Sequence, residues 1–378
     1  MNTKPHTVLC TVGTSLLSNL RRLDATDATV PNAQVLKEAF EAGDWLRLGR
    51  SLAQLDPTAP IGGVEINTLA QLRSHPDLAL RRVTFFVSDT EDGRHTAEVL
   101  RHYVTARSDL GLEAEAPVVV PQLQDARPRD FKNHGLRNLV RLLGDHIQRA
   151  GGPDFVAIDA TGGYKAQIAV AVVLGQALGI PVFYKHEKFN ETIAFPPLPV
   201  SLDYTLLGAH ADLLVALERN ATLTEADLRD ADPRLLVFLN EEKVDGTRLY
   251  ELNAVGQIYL TGFRLSRAPR LKLVPARDRK DPTFGNDHHY PAGFKDAVLK
   301  VWRENDFIVT CHTLPHARGG RPGLTFRVAP EKNQPTLIGT YGRDNWFPRF
   351  AVVMEDTSRD VLTFAADRLN QKYCAETR

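Results

Sequence analysis

The chain has 378 residues, which is long for one domain and sufficient for two or three. Lys plus Arg and Asp plus Glu each number 46, so the net charge is zero and a surface that attracts nucleic acid must be local. Cys10, Cys311 and Cys374 have no CxxC spacing, which argues against a disulfide framework and indicates a reducing compartment. The apolar run in MNTKPHTVLC is too short for a signal peptide, and Gly and Pro interrupt the apolar window 166–183. We therefore expect a cytoplasmic protein without a membrane span.

The first predicted element is a strand at 7–12, where the sequence TVLCTV is apolar and β-branched. Gly13, Thr14 and Ser15 follow it, and a helix is predicted at 16–23. Backbone N–H groups are unpaired at the start of a helix, and the helix dipole is positive there. This turn is therefore a candidate binding site for an anion such as a phosphate.

Strands and helices then alternate along the chain. Helices are predicted within 32–55 and at 63–75, 94–106, 133–149 and 166–178, and strands at 82–87, 116–120, 155–158 and 180–184. This alternation predicts a Rossmann-like parallel sheet with helices on both faces. Ligands bind such sheets beyond the carboxyl ends of the strands, where the loops after residues 12, 87 and 158 are expected to converge.

The segment 155–165, FVAIDATGGYK, is the most informative of these loops. An apolar strand ends in Asp159, and Thr161, Gly162, Gly163 and Lys165 lead into an apolar helix. The glycines allow close approach of the backbone, and the helix N-terminus and the lysine suit a phosphodiester. The alternative is an ordinary strand-to-helix turn. Neither GxGxxG nor GxxxxGK[ST] is present, so hydride transfer and NTP hydrolysis lose their main sequence support.

VLCTVGTSLLSNL and IDATGGYKAQIAVA together resemble the CARF sensor domains of type III CRISPR-associated proteins. The resemblance implies a sensor domain over 1–198 and a homodimer that binds a cyclic oligoadenylate, favoured here as cyclic tetra-adenylate, across its two-fold axis. It implies no cofactor other than this activator. The ligand-binding residues that it implies are Gly13, Thr14, Ser15, Asn19, Thr161, Gly162, Gly163 and Lys165, with Ser88, Asp89 and Thr90 as weaker candidates.

A proline-rich PPLP segment ends the predicted sensor domain. Helices are then predicted at 205–219, from Thr222, and at 233–242, followed by a hairpin of strands 246–252 and 256–261 around Asn253. This order resembles a winged helix, which we place at 203–265. It indicates either DNA binding or a connector. We favour the connector, because Glu241 and Glu242 would repel DNA phosphates.

The last predicted domain, 270–378, is a small α+β domain. Helices are predicted at 291–305 and 359–373, with strands at 307–313, 324–329, 336–341 and 350–355. Between His316 and Arg349 the basic side chains are Arg318, Arg321, Arg327, Lys332, Arg343 and Arg349, opposed by Glu331 and Asp344. Such a sheet suits RNA, which would bind through phosphate contacts and stacking on Tyr341 and Trp346. A solvated basic face is the alternative.

Metal-dependent cleavage has little support in the sequence. The spacing Asp278 to Lys280 lies in a segment without a predicted strand, and Arg141 to His146, which has the spacing of a HEPN ribonuclease, lies in the sensor domain. A zinc site at His288, His289, Cys311, His312 and His316 lacks a second nearby cysteine, so we expect no metal. The remaining chemistry is attack of the ribose 2′-OH on the adjacent phosphate, with proton transfer and charge stabilisation by side chains.

RPGLTFRV and LIGTYGR resemble the core strands of RelE-family toxins. Combined with the sensor and winged-helix segments, they resemble the CARF–RelE mRNA interferases, which implies ribosome-dependent cleavage of mRNA at the A site. We predict that Arg318, Arg321, Arg327 and Arg343 stabilise the phosphate and that Tyr341 or His316 transfers the proton. The alternative function is a cyclic-oligoadenylate-responsive winged-helix transcription regulator.

Overall fold

The computed structural model describes residues 4–186, 189, 191–266, 269, 271–285 and 289–374. Its residues form two compact units. The first contains the described residues up to Ser201 together with Asn253–Ser266. The second contains Leu202–Leu252 and the described residues after 266. Helix 254–266 therefore groups with the first unit, whereas the sequence placed it in a separate winged-helix domain.

The first unit is an α/β domain. Its strands are β1 (Thr7–Thr11), β2 (Arg82–Val87), β3 (Glu113–Ala114), β4 (Val118–Val119), β5 (Val156–Asp159), β6 (Val182–Lys185) and β7 (Thr192–Phe195). Its helices include α1 (Ser15–Arg22), α2 (Ala33–Glu41), α3 (Trp45–Leu52), α4 (Gly63–Arg73), α5 (Glu91–Ala106), α6 (Pro128–Asp130), α7 (Leu136–Arg149) and α8 (Lys165–Leu178). The alternating strands and helices predicted here are confirmed.

The sheet order is β3-β2-β1-β5-β6-β7, with β4 also paired to β2, and β7 is antiparallel to β6. Central β1 is fully buried, with Val8 and Cys10 in one apolar core and Leu9 in the other. Such burial on both faces is typical of a parallel strand covered by helices. Because β2 and β5 pair with opposite edges of β1, the strand order reverses between β1 and β5, which places a ligand crevice at their carboxyl ends.

Helix α11 (Ala254–Ser266) packs on α7 and α8 in the first unit. The predicted strand at 256–261 is therefore wrong, because these residues are helical. The Asn253 side chain accepts a 2.9 Å hydrogen bond from the Gly256 N–H, which caps the helix start. The hairpin turn instead lies at Asp245 and Gly246, whose φ angles are 47° and 82°. Positive φ at both central residues is what a tight two-residue hairpin requires.

The second unit contains two antiparallel sheets. The smaller is formed by β8 (Leu223–Thr224), β9 (Leu239–Val244) and β10 (Thr247–Leu252), in the order β8-β10-β9. The larger is formed by β11 (Thr310–Leu314), β12 (Gly323–Glu331), β13 (Gln334–Gly342) and β14 (Arg349–Val353), in the order β11-β14-β13-β12. The helices of this unit include α9 (Thr205–Ala209), α10 (Ala211–Glu218), α12 (Phe294–Arg303) and α13 (Arg359–Tyr373).

Two predicted helices of the middle segment are wrong. Residues 233–242 form a short 3-10 turn, Pro233–Phe238, and then enter β9. After Thr222 the structure has strand β8 and then a turn, in which the Thr224 N–H and hydroxyl both donate to the Asp227 carboxylate at 2.8 Å. Threonine and aspartate stabilise such turns as readily as helix starts.

The larger sheet packs one face on α12 and α13 through a core that includes Phe294, Phe326, Phe350 and Leu369. The Asn370 side chain fixes α13 to this sheet by bonding the Phe326 N–H and carbonyl at 2.8 and 2.6 Å. Helix 359–373 is confirmed, and the predicted helix at 291–305 and the four predicted strands occur with shifted ends. Within the described ranges, no helix is both long and apolar enough to span a bilayer.

Candidate functional site

The loops after β1 and β5 meet at the carboxyl edge of the first sheet. The Thr11 hydroxyl donates a 2.6 Å hydrogen bond to the Gly162 carbonyl. A Cβ atom on Gly13 would lie 2.9 Å from the Gly163 nitrogen, so only glycine allows the two backbones to approach this closely. The structure thus brings together Gly13, Gly162 and Gly163 as the sequence predicted.

Side chains that can bind an anion lie beside these glycines. Lys165 is exposed at the first residue of α8, and Gly163, with φ of 105°, adopts a conformation that favours glycine. Ser15 is the first residue of α1, and its buried hydroxyl has no hydrogen-bond partner among the described residues. The Thr14 side chain makes no capping hydrogen bond to α1. Two helix N-termini and these side chains therefore provide donors at the crevice.

Thr161 and Asn19, also predicted as ligand residues, form hydrogen bonds within the protein. Thr161 is 7% exposed, and its hydroxyl donates to Asp159 at 2.5 Å and accepts the Lys185 N–H at 3.0 Å. The Asn19 amide donates to the Pro60 carbonyl at 3.2 Å. These contacts shape the loops.

The loop after β2 is held by its own side chains. Ser88 and Thr90 hydroxyls lie 2.8 Å apart, and Thr90 caps α5 by accepting the Gly93 N–H at 3.0 Å. The Asp89 carboxylate accepts the Gln122 N–H at 3.1 Å and pairs with Arg94 at 2.5 Å. These contacts give Ser88, Asp89 and Thr90 a structural role in the loop.

Gln167 links strand β2 to the loop after β5 and was not assigned to the site from the sequence. Its side chain is fully buried and donates to the Phe86 carbonyl at 3.3 Å, while its amide oxygen accepts the Tyr164 N–H at 3.3 Å. A glutamine in an otherwise apolar helix, AQIAVA, is the signal that could have found it.

Two buried carboxyl groups lie beneath the glycine loops. Glu65 and Asp159 are each 1% exposed, and Glu65 Oε1 accepts the Gly13 N–H at 2.9 Å. Among the described residues, Glu65 Oε2 and Asp159 Oδ2 have no hydrogen-bond partner. Burial raises the pKa of Glu65, and burial together with the nearby Glu65 raises the pKa of Asp159 to about 7. The sequence did not assign Glu65, because it lies within a helix remote from the glycine motifs.

A cavity of about 420 Å³ lies within the second unit. We call it the arginine cavity, and its polar lining residues are His210, Asp212, Asp227, Arg229, Asp230, Arg318, Arg321, Thr325, Arg327 and Thr340. It joins three of the predicted catalytic arginines to side chains of the segment predicted as a connector. A cavity of about 510 Å³ in the first unit is lined by none of the predicted site residues.

The sheet register separates the predicted catalytic residues into two groups. Arg327 is paired with Ile338, whereas Tyr341 is paired with Leu324. Side chains alternate between the faces of a strand, so Arg327 and Tyr341 point to opposite faces. Tyr341 lies on the core face, where its ring is 6.1 Å from that of Phe294.

The second group forms an aromatic patch of Tyr290, His316, Tyr341, Arg343 and Trp346. The Tyr341 hydroxyl and the Arg343 guanidinium both donate to the Ala292 carbonyl, at 3.3 and 3.0 Å. The His316 ring lies 6.2 Å from Tyr290 and 5.9 Å from Trp346. Trp346 is 47% exposed, so this patch presents an aromatic face to solvent.

His210 and Asp212 in the arginine cavity have perturbed pKa values. Burial raises the pKa of Asp212, which Arg327 and Arg321 partly oppose. Burial lowers the pKa of His210, and its Nε2 accepts the Asp232 N–H at 3.3 Å. The sequence assigned neither residue, because both precede Arg318 by about a hundred residues.

Within the described residues, no cluster of three or more His, Cys, Asp and Glu side chains is arranged to hold a metal ion. His288, considered as a zinc ligand, lies outside the described residues.

Residues 62–198 match a family described as CRISPR-associated protein (Cas_APE2256). This match supports the interpretation that the protein is CRISPR-associated and has an ancillary role.

The CRISPR-associated segment spans about a third of the chain and includes Glu65, the loop after β2, and Gly162 to Lys165. The loop at Gly13 and the whole second unit lie outside it. No curated protein matches this chain.

Proposed function

We propose that this protein is a CRISPR ancillary ribonuclease that is activated by cyclic oligoadenylate, with cyclic tetra-adenylate as the favoured activator. One observation carries the proposal. At the point where the strand order of the first sheet reverses, two glycine loops touch beside Lys165 at a helix N-terminus. One of these loops lies within the CRISPR-associated segment.

The activator site is proposed to use Lys165, Ser15 and Thr14 together with the helix N-termini. A phosphodiester carries a negative charge at neutral pH, and an exposed lysine and unpaired N–H groups are suitable donors for it. A cyclic, symmetric oligonucleotide presents the same group more than once, so a homodimer would offer these donors twice.

The ribonuclease site is proposed to lie in the second unit. Arg318, Arg321 and Arg327 line one cavity, and arginines can hold a phosphate and stabilise the charge that develops when the 2′-OH attacks it. The exposed Trp346 supplies a ring on which a base can stack.

Ribosome dependence rests on the RelE-like segments. RPGLTFRV and LIGTYGR lie largely in β12 and β13, which pair along their whole length from Gly323 with Gly342 to Glu331 with Gln334. We propose that this hairpin presents the arginines to mRNA in the ribosomal A site, where the messenger is held single-stranded.

The segment that the transcription-regulator alternative would use as a DNA-reading helix is not helical in this way in the structure. Residues 233–242 form a 3-10 turn and strand β9, and Glu241 and Glu242 lie on that strand. A winged-helix protein reads DNA by placing a helix in the major groove. We therefore retain the connector role for this segment as part of the proposal.

The deciding experiment is cleavage of a defined mRNA on translating ribosomes, with cut sites mapped by primer extension. We expect cleavage when cyclic tetra-adenylate is added, and none with linear tetra-adenylate or without ribosomes. Absence of cleavage with cyclic oligoadenylates of four and six units would contradict the proposal, and a shift of promoter DNA instead would favour the regulator.

A further inference from the structure

The arginine cavity lacks the proton-transfer residues that the sequence suggested for it. Arg327 and Tyr341 point to opposite faces of the sheet, and His316 lies in the aromatic patch. Attack by a 2′-OH needs a base that removes its proton, and a positioned base contributes about 10²–10⁴-fold to the rate. If the arginines hold the scissile phosphate, another residue of the cavity must accept this proton.

Most of the other acidic and imidazole side chains of the cavity either form hydrogen bonds or are exposed to solvent. The Asp227 carboxylate accepts two hydrogen bonds from Thr224, and Asp230 is exposed. His210 Nε2 accepts the Asp232 N–H, which occupies the nitrogen that would otherwise take a proton.

Asp212 is half-buried and forms neither an ion pair nor a hydrogen bond to another side chain within the described ranges, and the backbone N–H of Leu213 is a partner of its carboxylate. It lies at the start of α10, next to His210. Arg321 and Arg327 line the same cavity and lie close enough to act on the charge of Asp212. Arg321 has a buried guanidinium nitrogen that lacks a hydrogen-bond partner among the described residues. A phosphate between these arginines would satisfy that nitrogen.

The charged and titratable groups that act on Asp212 are Arg327, Arg321 and His210, and Cys374 lies close enough to feel its charge. Burial raises the pKa of Asp212 above its ordinary range, which the two arginines partly oppose. A carboxylate with a raised pKa is a stronger base than an exposed one.

We propose, on the basis of the proposed function, that Asp212 is a catalytic residue that accepts the 2′-OH proton in the arginine cavity. The 2′ oxygen forms a bond to phosphorus as its proton passes to the Asp212 carboxylate. The bond from phosphorus to the 5′ oxygen breaks, and that oxygen takes a proton from water. The products are a 2′,3′-cyclic phosphate and a 5′-hydroxyl end, and the arginines neutralise the charge on the phosphate during the step.

The test compares wild type with Asp212→Asn in single-turnover cleavage, with activator and programmed ribosomes, from pH 5 to 9. Asp212→Asn should slow cleavage by about 10²-fold or more and lose the acid limb of the pH profile. Binding to a 2′-deoxy mRNA, which cannot be cleaved, should change less than about threefold, because the base does not hold the phosphate. Asp296→Asn, which changes an exposed carboxylate on α12, should match wild type.

The outcomes separate this inference from the proposed function. Cleavage by Asp212→Asn at the wild-type rate would overturn the inference and leave the ribonuclease intact. Equal losses of cleavage and of 2′-deoxy mRNA binding would also overturn it, since they would show that Asp212 builds the site. If the wild-type protein never cleaves mRNA in the presence of activator, both this inference and the proposed ribonuclease function would be contradicted. If Asp212→Asn does not fold, Asp212→Glu should retain an acid limb, and a profile without one would overturn the inference.

Discussion

Arg327 and Tyr341 lie on adjacent paired strands, yet their side chains point to opposite faces of the sheet. Arg327 is opposite Ile338, three residues before Tyr341, and an odd separation along a strand places two side chains on different faces. Arg327 therefore lines the arginine cavity, and Tyr341 packs on Phe294 at the core face. The two side chains cannot act on one phosphate from these positions.

We expect Tyr341→Phe to retain RNA cleavage within about threefold, and Arg327→Ala to reduce it by about 10²-fold or more. The Tyr341 hydroxyl donates to the Ala292 carbonyl, and its loss should lower the free energy of unfolding by about 1 kcal/mol. Activator-dependent cleavage and thermal unfolding check the two effects. If the Tyr341→Phe protein folds but does not cleave RNA, Tyr341 would have to be assigned to the catalytic site.

Lys165→Ala should weaken binding of cyclic tetra-adenylate by about tenfold or more, because a charge-assisted hydrogen bond contributes roughly 1.5–3 kcal/mol. Lys165 is exposed at the N-terminus of α8, so the substitution should leave the unfolding temperature unchanged. Calorimetric titration measures the affinity. Lys4→Ala is the matched control, because Lys4 is exposed and precedes β1 at the other edge of the sheet. Equal affinities for the two variants would remove Lys165 from the site.

The buried Asp159 should make the first unit less stable as the pH rises. Its pKa is about 7 in the folded protein and about 3.9 in an unfolded chain, so the folded state binds more protons between these values. The stability that protonation gives is complete below pH 4 and is lost as the pH approaches 7. Between pH 5 and pH 7 this group should lower the free energy of unfolding by about 2 kcal/mol, because the slope of 1.36 kcal/mol per pH unit falls to about half as the pH reaches the folded pKa.

Asp159→Asn removes this titration and can still accept from Thr161 through its amide oxygen. Denaturant unfolding at pH 5 and pH 7 should show a smaller loss of stability in the variant than in wild type. Glu65, whose pKa is also raised, remains in both proteins and contributes a residual trend of the same sign. An identical pH dependence in the two proteins would contradict the assignment of the titration to Asp159.

Much of the first unit could be predicted because its signals are local. Buried strands such as TVLCT are continuous apolar runs, and glycines after β1 and β5 mark the turns to helices. Parallel pairing then brings the ends of these strands to one edge without further information. Gly13, Gly162 and Lys165 could therefore be assigned to one crevice from the sequence.

The parts that could not be predicted depend on contacts between distant residues. The faces of Arg327 and Tyr341 depend on the register between β12 and β13, which the residue types alone leave open. The contact between Glu65 and the Gly13 N–H joins residues 52 positions apart. The Asp245 and Gly246 turn carried a local hairpin signal, but Asn253 suits a turn as well as a helix cap.

Gly162→Ala tests whether the two glycine loops must remain in contact. A Cβ atom at this position would overlap the Glu65 carboxylate and lie 2.8 Å from the Gly13 nitrogen. Glu65 is held by the Gly13 N–H and is 1% exposed, so it cannot move away into solvent. Overpacking of this kind costs about 1–3 kcal/mol, and we expect a lower unfolding temperature together with weaker activator binding.

Gly62→Ala is the control for this substitution. Gly62 is also buried, but a Cβ atom there would make only ordinary contact with Ile66 at 3.5 Å. It should therefore keep the activator affinity of wild type, as measured by calorimetric titration beside Gly162→Ala. If Gly162→Ala binds the activator as tightly as Gly62→Ala, the close approach of the loops is not required for binding. The ligand would then depend on Lys165, Ser15, Thr14 and the helix N-termini, because these are the proposed donors that the substitution leaves in place.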